Sequence, residues 1–469
     1  MALLGNLTGS SQYFNDDDFY SGTATQSLRF GRTGPKYLTR TPSSASNRRT
    51  WTWSGWIKPS IVGQAAPFFS ATTNSAVEFN GNAFRIYNWN GSSNDYILET
   101  NAFYRDASAW YHIAVAIDTT QGTASNRIKV YINGEQITSF STETYPSENF
   151  DGFVNSAAVH RVGSFSHTTS YSFDGYMAEV NFIDGLALTP TSFGETKNGV
   201  WIPKKYNGSY GTNGFRLQFN QVGVGTASTS TIGADTSGNT NHFTSSGIVA
   251  SDCAMPDSPE NNFATLNALN NQANSTLSEG NLKAVLASGA SARTPSTFAV
   301  SSGKWYWEVR QSSANRFGLG VFDTEKYVMT DEDAGADAHE WAWLTDGGDS
   351  STGILFNNSI SSNHGVEVAD GEVIMVALDA DNDAIWFGKE NSWFNTDGSS
   401  NSATVKTQIE AGTTTNAGHT SVTGTLTPVF VRQTSNDTLI VNFGQDSSFV
   451  GNETAAGNTD SNGIGDFAY

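Results

Sequence analysis

The sequence has one cysteine, Cys253, and few charged residues. A single cysteine excludes an intrachain disulfide and a cluster of thiolate metal ligands. Charged residues make up only 15 % of the 469 residues, and Gly, Ser, Thr and Asn dominate the remainder. This composition favours short strands joined by turn-rich loops over long helices.

Long apolar runs are also missing. The first residues, MALLGNLTGSSQYFNDDD, have no basic start and no extended apolar stretch, so we expect neither a secretory signal nor a transmembrane helix. No segment repeats apolar residues every 3.6 positions, which is the pattern of an amphipathic helix. We therefore expect a soluble chain that folds in a cytoplasm without inserting into a membrane.

Basic residues are scarce in the second half of the chain. Residues 1–222 carry 16 Lys and Arg against 16 Asp and Glu, whereas residues 223–469 carry 9 against 29, which accounts for the net charge of −20. A nucleic-acid-binding protein needs a cationic face to displace counterions from phosphates. The charge distribution therefore argues against DNA or RNA as a partner.

Apolar residues mostly alternate with polar ones, which is the pattern of half-buried β-strands. In RIKVYINGEQI (127–137), every second residue from Ile128 to Ile132 is apolar, and Asn133-Gly134 is a dipeptide favoured in a type I′ hairpin turn. This segment is therefore predicted to be a hairpin. The same alternation predicts strands within residues 110–118, 175–184, 214–219, 303–309, 371–379, 384–388, 427–431 and 438–444.

Three tryptophans stand close together in WTWSGWIK (51–58). In an extended strand, Trp51 and Trp53 share an apolar face that is typical of the core of a sandwich. Each would contribute roughly 1.5–3 kcal/mol by removal from water. Trp56 falls on the opposite, polar face, which leaves it as a candidate for a surface or inter-domain role.

The length of the chain favours more than one domain. Residues 223–265 are polar and rich in Gly, Ser and Thr, and we interpret them as a linker. The sequence thus predicts an all-β protein with two antiparallel β-sandwich domains of the jelly-roll type, at residues 26–222 and 266–450. An N-terminal arm at 1–25 and a C-terminal tail at 451–469 complete the chain.

The first group of strands resembles a known family. The segments SLRF, YLTRTPSSASNRRTWTWSGWIK, WYHIAVAID, RIKVYINGEQI and FDGYMAEVNFIDGLALTPTSFGE follow one another within residues 26–222. Their order resembles a laminin-G-like domain of the concanavalin A-like lectin superfamily. The resemblance implies a curved jelly roll of two sheets, and families with such segments recur among structural proteins of tailed bacteriophages.

The second group of strands is similar to another family. GKWYWEV, RFGLGVF, GEVIMVALDADNDAIWFGKENSW, LTPVFV and IVNFGQDSSFVG, which lie between residues 303 and 451, are similar, in order, to the segments of a SPRY domain. This resemblance implies a bent antiparallel sandwich that recognises a partner through loops at one end. Residues 327–364 depart from the family's pattern, which leaves the specificity of this region open.

One strand carries polar residues near the spacing that jelly-roll sugar hydrolases use. Those enzymes have the pattern E-x-D-x-x-E, and retaining glycosidases need two carboxyls about 5–5.5 Å apart. The corresponding residues here are Glu179, Asn181 and Asp184, and the middle one carries no charge. The sequence also lacks a G-x-S-x-G elbow, a P-loop and an H-E-x-x-H motif. We therefore predict that the protein is not an enzyme, with a glycan-cleaving enzyme as a minor alternative.

A run of acids is close to the twelve-residue calcium-binding loop. Asp379, Asp381 and Asp383 occupy its first, third and fifth positions. The sixth position is Ala384 where the loop needs Gly, and the flanks alternate as strands, so a hairpin turn explains the run. No cofactor is required by the sequence, and a looser Ca²⁺ site on these three carboxylates is the alternative.

A second acidic run, TDEDAGADAHE, covers residues 330–340 and contains five acids and a histidine. We interpret it as a solvated loop. The alternative is a loop that contacts a divalent cation or a partner.

Two recognition modules without an enzyme signature or an export signal are an unusual combination, because extracellular adhesins of cells generally carry a signal sequence. A virion protein needs none, since it is assembled in the host cytoplasm and released by lysis. We predict a homo-oligomeric structural protein on the exterior of a tailed-phage particle, as a tail fibre or a capsid decoration fibre. Its partners would be other virion proteins and host-surface polysaccharide. Residues 1–25 are a candidate docking segment, with a merely ordered arm as the alternative.

Aromatic side chains are the candidate contacts for glycan. The residues are Trp89, Tyr87, Trp341, Trp343 and Trp393. Trp89 lies in the loop-like stretch IYNWNGSSND, whose polar residues indicate exposure. The competing hypothesis is a purely architectural protein in which both modules cement neighbouring subunits and bind no sugar.

Overall fold

The computed structural model divides the chain into two compact units. The first unit is Gln12–Asn262, and the second is Phe263–Tyr469 with Met1–Ser11. The structure describes residues 2–3, 19–72, 74–165, 168, 171–271, 275–286, 293–312, 317–327, 334–346, 352–432, 437–461 and 463–469.

The first unit is a sandwich of two antiparallel sheets. One sheet has the strand order Glu135–Ile137, Ile128–Ile132, Tyr111–Asp118, Thr50–Pro59, Gly175–Asp184 and Phe215–Leu217, with Leu28–Phe30 also paired to Gly175–Asp184. The other has the order Phe140–Thr144, Asn94–Phe103, Ala83–Trp89, Ser75–Asn80, Ala66–Ala71, His160–Val162, Tyr37–Arg40 and Thr244–Ser246. A separate hairpin consists of Gly194–Lys197 and Val200–Pro203. Short 3₁₀ turns cover Ala124–Asn126, Pro190–Ser192 and Ala250–Asp252.

The predicted hairpin at residues 127–137 is confirmed. Ile132 pairs with Glu135, and the turn residues Asn133 and Gly134 have φ angles of 51° and 85°. Both values lie in the left-handed region that a type I′ turn requires and that Asn and Gly adopt most readily.

The tryptophans of the strand Thr50–Pro59 are all buried. Trp51 and Trp53 are 1 % and 0 % exposed in the core between the sheets, which confirms their prediction. Trp56 is only 4 % exposed, so a surface role for it is wrong. Its ring lies 4.9 Å from that of His112, which accepts a hydrogen bond from Trp201 of the separate hairpin. A segment about 145 residues later in the chain therefore covers this face.

Of the predicted linker at residues 223–265, residues 223–262 belong to the first unit and residues 263–265 to the second. Ile232 and Phe243 are buried in the core of the first unit, and Thr244–Ser246 adds a strand to the sheet beside Tyr37–Arg40. The few apolar residues of this polar segment thus suffice to attach it to the sandwich.

Two buried aspartates hold the end of the same segment. Asp252 accepts hydrogen bonds from Arg29 Nε at 3.1 Å and from Lys36 Nζ at 2.7 Å. Asp257 accepts one from Lys58 Nζ at 2.7 Å, and both carboxylates are fully buried. Because a buried charge is tolerated only with a partner, these ion pairs require the segment to remain packed. The linker prediction is wrong because polar composition does not distinguish solvated residues from internally paired ones.

The second unit also contains two antiparallel sheets, as predicted. One has the strand order Ser275–Ser278, Lys283–Leu286, Asp437–Asn442, Lys304–Gln311, Val373–Asp379, Ala384–Lys389 and Ser392–Trp393, with Ala2–Leu3 paired to Lys304–Gln311 and His419–Thr420 to Ala384–Lys389. The other has the order Arg293–Pro295, Leu426–Arg432, Phe317–Asp323, Glu340–Asp346, Thr352–Asn357 and Ile360–Asn363. An apolar core that includes Trp307 and Phe430 lies between them.

One short helix, Ser402–Ala411, packs on the second unit. Only Val405 and Ile409 of this helix are buried, and it ends at Gly412, whose φ of 70° forms a left-handed C-cap. Two buried positions are too few to produce the apolar stripe that would reveal a helix in the sequence. Across the described ranges, no helix combines the length and the apolar character needed to span a membrane.

The C-terminal residues, expected to be a tail, are packed in the second unit. Phe467 is buried, and Glu308 accepts hydrogen bonds from the backbone N–H groups of Ala468 and Tyr469 at 3.0 and 2.9 Å. Of the N-terminal arm, only the strand Ala2–Leu3 and residues 19–25 lie within the described part of the chain. The docking role of this arm stays a prediction.

Candidate functional site

An aromatic row lies on the outer face of the strand Ala83–Trp89 in the first unit. Phe84, Ile86 and Asn88 point inward and are buried, whereas the alternate residues Tyr87 and Trp89 point outward. Tyr87 is half-buried and Trp89 is 37 % exposed. Two residues along a strand place these side chains roughly 7 Å apart, so both rings can contact the same ligand.

The turn after Trp89 is held by hydrogen bonds that polar side chains make with backbone N–H groups and with each other. Asn90 Oδ1 accepts the N–H groups of Ser92 and Ser93 at 3.0 and 2.9 Å. The carboxylate of Asp95 accepts one hydrogen bond from Asn90 and one from Asn88, each 2.8 Å long. The turn is therefore preorganised, which lowers the entropy cost of binding a ligand there.

A cation fixes the other end of the row. The guanidinium of Arg85 lies 5.1 Å from the centroid of the Tyr87 ring, and its Nε donates a 2.7 Å hydrogen bond to Glu78. Burial raises the pKa of Glu78 to about 7, and the charge of Arg85 opposes this rise. Arg85, Tyr87 and Trp89 together form what we call the outer row. Sequence reasoning missed Arg85, although its spacing of two residues from Tyr87 was a usable signal.

Trp341 and Trp343 do not form a contact surface. Both belong to the strand Glu340–Asp346, which pairs with a strand on each side. They are 6 % and 0 % exposed and pack in the core of the second unit. The prediction that they contact glycan is therefore wrong, because both side chains lie on the face of the strand that packs into the core.

Trp393 has a different environment. It is 8 % exposed, and its ring lines a pocket beside the helix Ser402–Ala411. Of the predicted contact residues, the structure thus brings Tyr87 and Trp89 together in the first unit and places Trp393 at a pocket of the second.

Two carboxylates of the acidic turn at residues 379–383 accept hydrogen bonds from backbone N–H groups. Asp379 Oδ1 accepts the N–H groups of Asp381 and Asn382 at 3.2 and 3.1 Å, and Asp381 accepts that of Gly303 at 2.9 Å. Asp383 has a φ of 54°, as a tight turn requires. The hairpin interpretation therefore accounts for these acids. Within the described ranges, no group of three or more His, Cys, Asp or Glu side chains could hold a metal ion.

The second acidic run, at 330–340, lies partly outside the described residues, because these begin again at residue 334. In the described part, Asp337 Oδ1 accepts a hydrogen bond from the backbone N–H of His339 at 2.7 Å and lies 2.9 Å from its Nδ1. Glu340 is fully buried and pairs with Arg293 at 3.1 Å. One acid of this run is therefore structural and does not reach solvent.

The residues at the hydrolase-like spacing are also structural. Glu179 is buried, and both of its oxygens accept hydrogen bonds from Arg216, at 2.6 and 3.1 Å. Asp184 accepts hydrogen bonds from the backbone N–H groups of Asn47 and Asn213 at 3.2 and 2.9 Å. A carboxyl group in a buried ion pair cannot reach the bond of a polysaccharide at the surface. These residues therefore offer no acid and nucleophile pair.

His112 is buried and hydrogen-bonded through both ring nitrogens. Its Nδ1 accepts a 3.1 Å hydrogen bond from Trp201 Nε1, and its Nε2 lies 2.9 Å from Ser54 Oγ. Burial lowers the pKa of His112 to about 3, so the imidazole is neutral at physiological pH.

Comparison with known proteins supports one of the resemblances. Residues 32–192 match the family model of the concanavalin A-like lectin/glucanases superfamily. No curated protein sequence matches the chain significantly.

Similar solved structures include two SPRY domains. That of human HERC1 has 15 % identity, covers 39 % of this chain and 97 % of its own, and has a TM-score of 0.28. That of TRIM65 has 15 % identity, covers 38 % and 91 %, and has a TM-score of 0.29. A protein from Bacteroides ovatus ATCC 8483, provisionally assigned to carbohydrate binding, has 15 % identity, covers 48 % and 58 %, and has a TM-score of 0.32. The chain is therefore similar, over residues 32–192, to the concanavalin A-like superfamily, and SPRY domains are among its structural neighbours.

Proposed function

We propose that the protein binds glycan without cleaving it, through the outer row of Arg85, Tyr87 and Trp89. The observation that carries this proposal is the exposure of Trp89 beside a preorganised polar turn. Sugar rings have apolar faces that stack on indole and polar edges that need hydrogen-bond partners. The outer row and the turn offer both kinds of group within one surface.

The absence of cleavage is supported by the positions of the carboxylates. Glu179 and Asp184, the acids nearest to the hydrolase pattern, are buried and hydrogen-bonded. The outer row itself contains no carboxylate. The two acids beside it, Glu78 and Glu99, both pair with Arg85, and Asp95 is engaged by two asparagines. Binding is therefore the chemistry that this surface supports.

The biological setting that we propose is the exterior of a tailed-phage particle, as a tail fibre or a capsid decoration fibre. The resemblance of residues 26–222 to segments found in phage structural proteins supports this setting. Display in several copies would raise the avidity of a weak surface site for host polysaccharide. Other virion proteins would then be the second class of partner.

A glycan array with the purified full chain tests the proposal. We expect signal for the wild type and loss of signal for Trp89→Ala. The control is Phe103→Ala, because Phe103 is 66 % exposed on a strand of the same sheet but lies outside the outer row. Loss in both variants would contradict a specific role of Trp89. A silent array together with tight binding to a capsid or tail protein would favour the architectural alternative.

A further inference from the structure

A pocket of about 330 Å³ lies on the second unit, between the sheet that contains Trp393, the helix Ser402–Ala411 and the C-terminal residues. This volume is at the lower end of the roughly 300–1,000 Å³ found for ligand pockets, so it suits a small ligand rather than a long chain. Its lining combines aromatic and polar side chains. The thirteen lining residues include four aromatic ones, Tyr306, Trp393, Phe467 and Tyr469.

The aromatic side of the pocket is held by ring packing and hydrogen bonds. The ring of Tyr306 lies 6.3 Å from that of Trp393 and 5.1 Å from that of Phe467. Tyr306 also donates a 2.9 Å hydrogen bond to the buried Glu308, which accepts hydrogen bonds from the backbone N–H groups of Ala468 and Tyr469. One carboxylate therefore fixes both the aromatic base of the pocket and the C-terminal wall. A ligand would find these rings already in place, which reduces the entropy cost of binding.

The opposite wall of the pocket is polar and comes from one face of the helix. Ser402, Lys406 and Glu410 are spaced four residues apart and therefore lie above one another on that face. The side chains of Lys406 and Glu410 make no hydrogen bond or ion pair with any residue that the structure describes. Asn391 and Asn458 add amide groups at the rim. The rim thus presents donors and acceptors that a polar ligand can engage.

The charges at the rim limit the chemistry of the ligand. Lys406 is the cation among the lining residues, whereas Glu410 and Asp460 are acids. The local charge is therefore negative, and the whole chain has a net charge of −20. A carboxylate-bearing sugar would be repelled, whereas a neutral ring would not.

We propose that this pocket binds one neutral sugar ring, a hexose or an N-acetylhexosamine, as a second glycan subsite of the protein. The apolar face of the ring would stack on the aromatic side, and its hydroxyl groups would engage Lys406, Glu410 and the amides. The choice of ligand class rests on the glycan recognition proposed above. The site itself is independent of the outer row.

Ligand-observed NMR titration of the full chain tests this inference, with N-acetylglucosamine, galactose and glucuronate as probes. We expect saturable binding of one of the two neutral sugars, with a dissociation constant on the order of 1 mM, which is a typical strength for a few contacts. Glucuronate should not bind. The double variant Lys406→Ala/Glu410→Ala should weaken binding at least about tenfold. Both positions are exposed on the helix, so the variant should keep the wild-type melting temperature.

The control is Thr404→Ala, which changes an exposed residue of the same helix that does not line the pocket. Binding that survives in the double variant, or glucuronate binding as tightly as the neutral sugars, would overturn the inference. Failure of all three probes would overturn it as well. Trp89→Ala should leave the titration unchanged, because Trp89 does not line the pocket. A silent glycan array together with a positive titration would contradict the proposed surface site and leave the pocket proposal standing.

Discussion

The clearest quantitative prediction concerns Asp252, the buried carboxylate that joins residues 249–253 to the sandwich. It pairs with both Arg29 and Lys36, and the side chains of Arg29 and Asp252 are fully buried. The variant Asp252→Ala leaves two cations without a counter-charge in the interior. Breaking a buried ion pair by removing one partner costs about 3–5 kcal/mol in free energy of unfolding.

This cost corresponds to a measurable melting shift. In units of 150–250 residues, 1 kcal/mol lowers the melting temperature by about 2–4 °C, so Asp252→Ala should lower that of the first unit by roughly 6–20 °C. Differential scanning calorimetry of the full chain measures the shift. Hydrogen exchange should also become faster in the strand Thr244–Ser246, because the segment loses its anchor.

The matched control is Asp151→Ala. Asp151 accepts two hydrogen bonds from Arg49, each 3.0 Å long, but the two side chains are 43 % and 47 % exposed. Its geometry is as good as that at Asp252, and its pair is screened by water. We expect a far smaller shift in melting temperature. Equal shifts in the two variants would refute the claim that burial makes residues 223–262 part of the first unit.

Three further predictions follow from buried or strained positions. Burial lowers the pKa of His112, so below pH 6.5 the unfolded chain binds a proton that the folded chain does not, and the free energy of unfolding falls on acidification. His112→Gln should remove this contribution, which is about 1.4 kcal/mol per pH unit from pH 6 to pH 4. Acid titration of stability measures the difference. Glu179→Gln should destabilise the fold by about 3–5 kcal/mol, and neither the wild type nor this variant should release reducing sugar from polysaccharide. Release by the wild type that is lost in the variant would instead indicate a catalytic role for Glu179. Gly134→Ala should lower the free energy of unfolding by more than about 1 kcal/mol, because Gly134 has a φ of +85° and an added Cβ would lie 2.7 Å from Trp201. An added Cβ at Gly122 would meet open space, so Gly122→Ala is the control, and denaturant midpoints compare the two variants.

Much of the fold could be predicted from the local alternation of apolar and polar residues. Period-two alternation and turn chemistry depend on only a few neighbouring residues. They therefore predicted the strand around Trp51 and Trp53 and the hairpin at Asn133-Gly134. Trp56 was not predictable, because the side chain that covers its face, Trp201, is distant in the sequence. The helix Ser402–Ala411 was missed because only two of its residues are buried.

The same distinction applies to the candidate site. Polar neighbours correctly indicated that Trp89 is exposed, since they form the turn that leaves the ring at the surface. Alternation gave no information on which face of Trp341 and Trp343 meets the core, because that depends on which sheet packs opposite. The pocket at Trp393 depends on the helix and the C-terminal residues packing together, which no local pattern shows.

The central claim is that the first unit holds glycan at the outer row. Surface plasmon resonance of the full chain on immobilised host-surface polysaccharide tests it most directly, with wild type, Trp89→Ala and Phe103→Ala compared in parallel. We predict a dissociation constant at least about tenfold weaker for Trp89→Ala, which corresponds to the roughly 1.4 kcal/mol of a lost stacking contact, and no change for Phe103→Ala. Equal binding by all three proteins would contradict the account.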